Sequence, residues 1–179
     1  DFLEKPLSLA KLILTVKHAL ENNKLQTENL RLRQYGQHHA VNIIGKSKLI
    51  LNLKDQIERI ANHDTAVLIN GESGTDKELV ARYLHLKSVR KDGPFVSVSV
   101  SNLTNDGSAV ELFGRKSQNK DHPGFLKQAE NGTLFLKDIV DMDASTQAKL
   151  HSVLKSQYFM PIGGVENIDL NTRVIAATK

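Results

Sequence analysis

Cysteine is absent from the 179 residues, which removes disulfides and thiolate metal sites from consideration. No apolar run reaches membrane-span length, because Lys11 and Lys17 interrupt the longest one. The first residue is Asp1 rather than Met, and no leader pattern follows it. A start on Asp reads as a piece of something longer. Histidine offers no ligand spacing either. His38 and His39 are adjacent and cannot face one ion from a regular element, and the other five form no H-x-x-x-H pair. No metal site is expected from these residues. No internal repeat is visible.

What is present is ordinary for a globular protein: 40% hydrophobic and 25% charged residues. The net charge of +4 is scattered rather than striped. It permits nucleic-acid contact but reads as a solvated surface.

Pro6 turns the first residues away from helical dihedrals, and Ser8 can cap the helix that follows. That helix is expected from about residue 9 to 34, with no Gly or Pro inside. Ile13, Val16, Leu20, Asn23, Thr27 and Leu30 recur at 3,4 spacing, a heptad seam that turns polar halfway. It reads as a parallel dimer coil, or as one long helix docked on its own domain. Gly36 ends it, and residues 36–41 form a hinge.

The main domain is expected from residue 42. Its pattern alternates short apolar strands with amphipathic helices. Strands are expected at 66–70, 95–100, 133–136 and 173–178, and helices at 49–60, 77–87, 109–113, 125–129 and 145–156. Leu49, Leu53, Ile57 and Ile60 are assigned to the inner face of the first of these helices. The polar residues 115–123 read as a surface loop, and Gly163-Gly164 as a hairpin turn. Strands alternating with helices argue for a parallel α/β sheet covered on both faces.

The centre of this arrangement is Val67-Leu68-Ile69-Asn70-Gly71-Glu72-Ser73-Gly74-Thr75-Asp76-Lys77-Glu78. It reads as a buried strand, a glycine turn, a lysine and a helix start. Such a loop turns backbone N–H groups inward and aims a helix N-terminus at an anion, with the lysine reaching the β/γ-phosphates. The pattern G-x-x-x-x-G-K-[ST] is incomplete, since Asp76 stands for the second glycine and Glu78 for the Ser/Thr. A plain strand–turn–helix corner is the alternative at this point.

Seven colinear motifs then carry a resemblance. They are Ile44-Gly45-x-Ser47, Gly71-Glu-Ser-Gly-Thr-x-Lys77-Glu-Leu-Val-Ala-Arg82, Gly93-Pro-Phe-Val96, Glu111-Leu-Phe-Gly114, Gly132-Thr-Leu-Phe-Leu136, Gln147-Ala-Lys-Leu150 and Arg173-Val-Ile-Ala-Ala-Thr178. Together they resemble the AAA+ domain of sigma-54-dependent transcription activators of the NtrC/NtrX type. Residues 1–8 resemble the end of a receiver domain, and residues 9–41 its last helix running into a dimer linker. Residues 42–179 resemble part of the AAA+ domain.

The resemblance implies a truncated P-loop NTPase core with sheet order 5-1-4-3-2. The fifth strand, the lid, the arginine finger and the DNA-binding helix-turn-helix would follow residue 179. The strand at 66–70 would then be an uncovered edge. It implies ATP as ligand, with residues 71–78 on the phosphates and Ile43, Ile44 and Gly45 on the adenine side. For the full-length family it also implies a cognate histidine kinase, sigma-54 RNA polymerase and a cytoplasmic setting, with homodimerisation through residues 9–34.

Several family positions are altered. Asp76 replaces a glycine, and Lys137 stands at the magnesium acid. Asp138 stands at the water-activating Glu and is the one remaining candidate for that role. Ser99 replaces the switch Asn, and Lys179 replaces the sensor Asn. Two unit charges about 4 Å apart interact by roughly 4 kcal/mol at an effective dielectric near 20. A lysine in place of an acid therefore turns attraction for Mg²⁺ into repulsion. Magnesium is not expected here, and hydrolysis is expected to be impaired. An ion pair between Asp76 and Lys137 is expected to fill the pocket. The family's sigma-contacting Gly-Ala-Phe-Thr-Gly-Ala motif is missing from residues 115–123, which puts that contact by the family route in question. The alternative function is a non-catalytic dimerising scaffold, or a relic that binds no nucleotide.

Overall fold

The computed structural model describes residues 41–103, 107–117 and 121–179. The expectations for the receiver end, the coiled linker, and His38 and His39 lie outside the described residues.

Four parallel strands make the sheet: β1 (Val67–Asn70), β2 (Phe95–Ser99), β3 (Thr133–Lys137) and β6 (Arg173–Thr178), in the order β1-β6-β3-β2. This is the expected order with its outermost strand left out. The helices are α1 (Lys48–Ala61), α2 (Lys77–Lys87), α3 (Ser108–Phe113), α4 (Phe125–Gln128) and α5 (Ala144–Ser156). A two-stranded antiparallel hairpin, β4 (Tyr158–Phe159) with β5 (Ile168–Asp169), turns through Gly163 at φ 75.

Burial follows position in the sheet. Central β3 is buried from Thr133 through Leu136, as a strand covered on both faces must be. β1, read as buried from its apolar run and as an uncovered edge from the resemblance, is a half-buried edge strand with Leu68 62% exposed. Its apolar run is the same as a central strand's; only the missing neighbour differs. An apolar cavity of about 320 Å³ runs beside it, lined by Val67, Leu68, Leu150, Leu154 and Val174 among others.

α1 also departs from its reading. Ile57 and Ala61 are buried, while Leu49 is 80% and Ile60 37% exposed. The helix packs on α2 along a narrower stripe than its periodicity suggests, since leucine and isoleucine are tolerated on surfaces.

Two contacts set the strands in place. At the first, Gly132 lies against the Pro94 backbone, and the Thr133 N–H donates to the Pro94 carbonyl at 2.8 Å. A side chain at Gly132 would collide with that carbonyl, so glycine is required where β2 and β3 start side by side. At the second, Arg173 is only 2% exposed. Its guanidinium donates to the carbonyls of Ile60 (2.8 Å), Ala61 (3.0 Å) and Thr65 (3.3 Å). The orphan carbonyls at the end of α1 are thereby satisfied by a positive charge.

Behind β2 and β3 lies His85 of α2, 2% exposed, with Nδ1 2.9 Å from the Thr133 hydroxyl and its ring tilted against Phe95. Burial, followed by the charges of Arg82 and Arg173, pushes its pKa down to about 4.

Candidate functional site

The carboxyl ends of parallel strands are where an open α/β sheet binds ligands. The register aligns Ser99 of β2 with Lys137 of β3, and Asn70 of β1 with Thr178 of β6. Gly71 follows Asn70 directly, and its N–H donates to the Thr178 carbonyl at 3.3 Å. Lys179 continues from β6. The sheet thus gathers Gly71, Ser99, Lys137 and Lys179 along one edge, although they are scattered over more than a hundred positions in the chain.

The loop at residues 71–76 leads into α2 at Lys77. The Lys77 ammonium folds back over the loop and donates to the carbonyls of Gly71 (2.8 Å) and Glu72 (2.9 Å). The Thr75 hydroxyl donates to the same Glu72 carbonyl at 2.8 Å. Gly74, at φ 82, makes the turn in open space.

Asp76 adopts φ 51 and ψ 49, the left-handed region that a glycine enters freely and that aspartate tolerates at some cost. Its carboxylate caps α2, accepting from the Leu79 N–H at 3.4 Å. It does not reach Lys137. The partner of Lys137 is Glu78, at 3.0 Å, which corrects the expected Asp76–Lys137 pair. The reason is geometric. Asp76 turns back along its own helix as a cap, whereas Glu78, in the first turn of α2, reaches the end of β3.

Glu78 is held from both sides. Oε2 accepts from Lys137, and Oε1 accepts two bonds from Arg82, at 2.7 and 3.1 Å. Arg82 is itself fixed with its guanidinium 4.6 Å above the Phe95 ring. Burial alone would raise the Glu78 carboxyl, but the hydrogen bonds from Lys137 and Arg82 overcome this and leave it below the usual value. The Glu78–Arg82 half of this network was legible as an i,i+4 pair; the Lys137 half needed the sheet.

Asp138 follows Lys137 with φ 54, also left-handed. Its carboxylate has no hydrogen-bond or ion-pair partner among the described residues, so it stands available at the edge of the site. Ile43 is buried and Ile44 is 92% exposed, just ahead of the α1 cap Ser47. No hydrogen bond among the described residues ties Ile43, Ile44 or Gly45 to the phosphate loop.

The described residues fit Mg²⁺ poorly. An ion of this kind wants six oxygens in near-octahedral array. Both Glu78 oxygens are occupied by cations, and Lys137 offers an ammonium where a carboxylate is needed. No group of three or more acidic or histidine side chains converges among the described residues.

The polar stretch at 115–123 is more ordered at its base than a surface loop requires. Arg115 and His122 exchange backbone hydrogen bonds of 2.9 Å each. Lys116 donates from its backbone to Ile162, and its side chain pairs with Asp121 at 2.8 Å. Gly114 and Gly124 touch at the base, where no side chain would fit on Gly124.

Comparison with known proteins bears on the family and the fold. The model of the family described as the sigma-54 interaction domain matches residues 43–179. The nitrogen assimilation regulatory protein NtrX of Azorhizobium caulinodans is 37% identical over 180 residues, covering 99% of this chain and 39% of that protein. The C4-dicarboxylate transport transcriptional regulatory protein DctD of Pseudomonas aeruginosa is 37% identical over 187 residues, covering 100% of this chain and 40% of its own length. Among solved structures, NtrX from Brucella abortus in complex with ATP matches with a TM-score of 0.72 and 37% identity. That match covers 99% of this chain and 38% of the other. The chain spans about two-fifths of the length of the curated relatives it matches.

Proposed function

The chain belongs to the sigma-54 activator family of NtrC-type regulators, and from that premise we propose that it is the nucleotide-binding portion of an NtrX-like response regulator. It binds ATP through the loop at residues 71–78 and hydrolyses it poorly or not at all.

The observation that carries the binding half is Lys77, whose ammonium lies 2.8 and 2.9 Å from two carbonyls of its own loop. From there a small rotation would trade those carbonyls for phosphate oxygens, which are stronger acceptors. The loop's backbone N–H groups and the start of α2 would supply the rest of the cradle. The Brucella relative's complex with ATP supports the same reading.

The impaired chemistry follows from the altered side chains. Lys137 occupies the place of the acid from which a P-loop ordinarily holds its metal, and it pairs there with Glu78. Asp76 adds a negative charge beside the phosphates. Asp138 alone is left to orient a water. Without a metal to gather developing charge, phosphoryl transfer loses its main electrostatic support.

By likeness to the full-length relatives, a histidine kinase and sigma-54 RNA polymerase would be the partners, and residues 9–34 would pair two copies. No described helix is long and apolar enough to cross a membrane.

Titration of the whole chain with a fluorescent ATP analogue tests this reading. We expect saturable binding that weakens about tenfold or more in Lys77→Ala, the loss of one charge-assisted contact. Absence of binding at millimolar nucleotide would overturn it in favour of a scaffold that binds no nucleotide.

A further inference from the structure

We propose that this site takes its nucleotide free of divalent metal, with the Lys137 ammonium serving as the counter-charge to the phosphates. The inference rests on the nucleotide-binding reading above and goes beyond it in naming the ionic form of the ligand.

The donor set is the first ground. In a P-loop, Mg²⁺ is held by the hydroxyl that follows the lysine and by a carboxylate on a neighbouring strand. Here those two places hold Glu78 and Lys137, and they are joined to each other at 3.0 Å. A metal entering between them would have to displace a cation from one Glu78 oxygen while facing the Lys137 charge.

Charge is the second ground. Arg82, Glu78 and Lys137 form one connected unit of two cations and one carboxylate. Its net formal charge is one positive, so a phosphate arriving at the loop meets positive charge built from side chains.

Accessibility is the third. The Lys137 and Glu78 side chains are 38% and 29% exposed, so the pair is open to solvent on one side. Arg82 holds Glu78 by two hydrogen bonds and is anchored on Phe95. Glu78 therefore stays neutralised when Lys137 swings toward a phosphate oxygen. The exchange costs Lys137 one carboxylate contact and returns one of the same kind. Mg²⁺ bound to ATP in solution would compete with Lys137 for the same oxygens.

The experiment titrates the whole chain with a fluorescent ATP analogue, once in EDTA and once in excess Mg²⁺. Affinity in EDTA should equal or exceed that in Mg²⁺. Lys137→Gln should weaken binding about tenfold in EDTA, and Lys137→Arg should restore most of it. The double variant Glu78→Thr/Lys137→Asp should bind more tightly with Mg²⁺ than without. Wild-type binding more than about twofold tighter in Mg²⁺ would overturn the inference and leave the nucleotide-binding reading standing. So would a Lys137→Gln variant that binds like wild type in EDTA. Failure to bind in either buffer would overturn that reading, and this inference with it.

Discussion

Glu78 and Lys137 meet at 3.0 Å across the mouth of the parallel sheet, one from the first turn of α2 and the other from the end of β3. They are 59 positions apart in sequence. The pair ties the start of α2 to the carboxyl end of β3. Being partly exposed, it is a modest contributor to stability. Its weight is in what it does to the charge of the site.

A double-mutant cycle with Glu78→Gln and Lys137→Met measures that contact directly. The expected coupling in urea unfolding is below about 1 kcal/mol, the range of solvent-accessible ion pairs. Lys137→Asp alone should destabilise more than Lys137→Met, because it sets a second carboxylate beside Glu78. No coupling at all would remove the pair from the account.

Asp76 carries two opposed effects. Its left-handed backbone costs roughly 1 kcal/mol, and its cap on α2 returns a similar amount. Asp76→Gly should therefore leave stability unchanged or raise it by up to ~1 kcal/mol, while tightening nucleotide binding by removing a nearby negative charge. Asp76→Ala, which keeps the strain and loses the cap, should cost about 1 kcal/mol. Equal stabilities for the two variants would contradict the geometry.

Arg173 bridges the end of α1 to the start of β6 through three carbonyls, and it is buried. Arg173→Met should cost about 3 kcal/mol or more in urea unfolding, since it strands those acceptors without water. Arg173→Lys should recover only part of the loss, because one ammonium cannot match the spread of a guanidinium. A loss under ~1 kcal/mol for Arg173→Met would show that water replaces it freely.

His85 gives the fold a pH dependence of definite sign. Its pKa is lowered from 6.5 to about 4 on folding, so the unfolded chain takes up the proton first. The stabilisation is full above pH 6.5, shrinks as pH falls toward 4, and amounts to ~3 kcal/mol in all. Asp64 and Glu78, held below their usual values, act at lower pH, as they lose stabilisation only on falling through the carboxylate range. In His85→Gln the fall between pH 6.5 and 4.5 should disappear. An unchanged slope in that variant would place its origin elsewhere.

How far the chain could be read differs from place to place. α2 and β6 have the bounds that the sequence pattern assigns them. The turn between β1 and α2 was visible from Gly71, Gly74 and Lys77. The base of the 115–123 stretch was not, because its order comes from Ile162, 44 positions from residue 118, and from the close approach of Gly114 and Gly124, which spacing alone does not reveal.

Local chemistry in the chain was enough to set the strand–loop–helix succession, since it depends on neighbouring residues. Which carboxylate answers Lys137 and which apolar residues of α1 reach the core were decided by tertiary structure alone. Those outcomes depend on where a backbone 50 or 100 residues away comes to rest, and a side chain pairs with whatever charge the fold brings within reach.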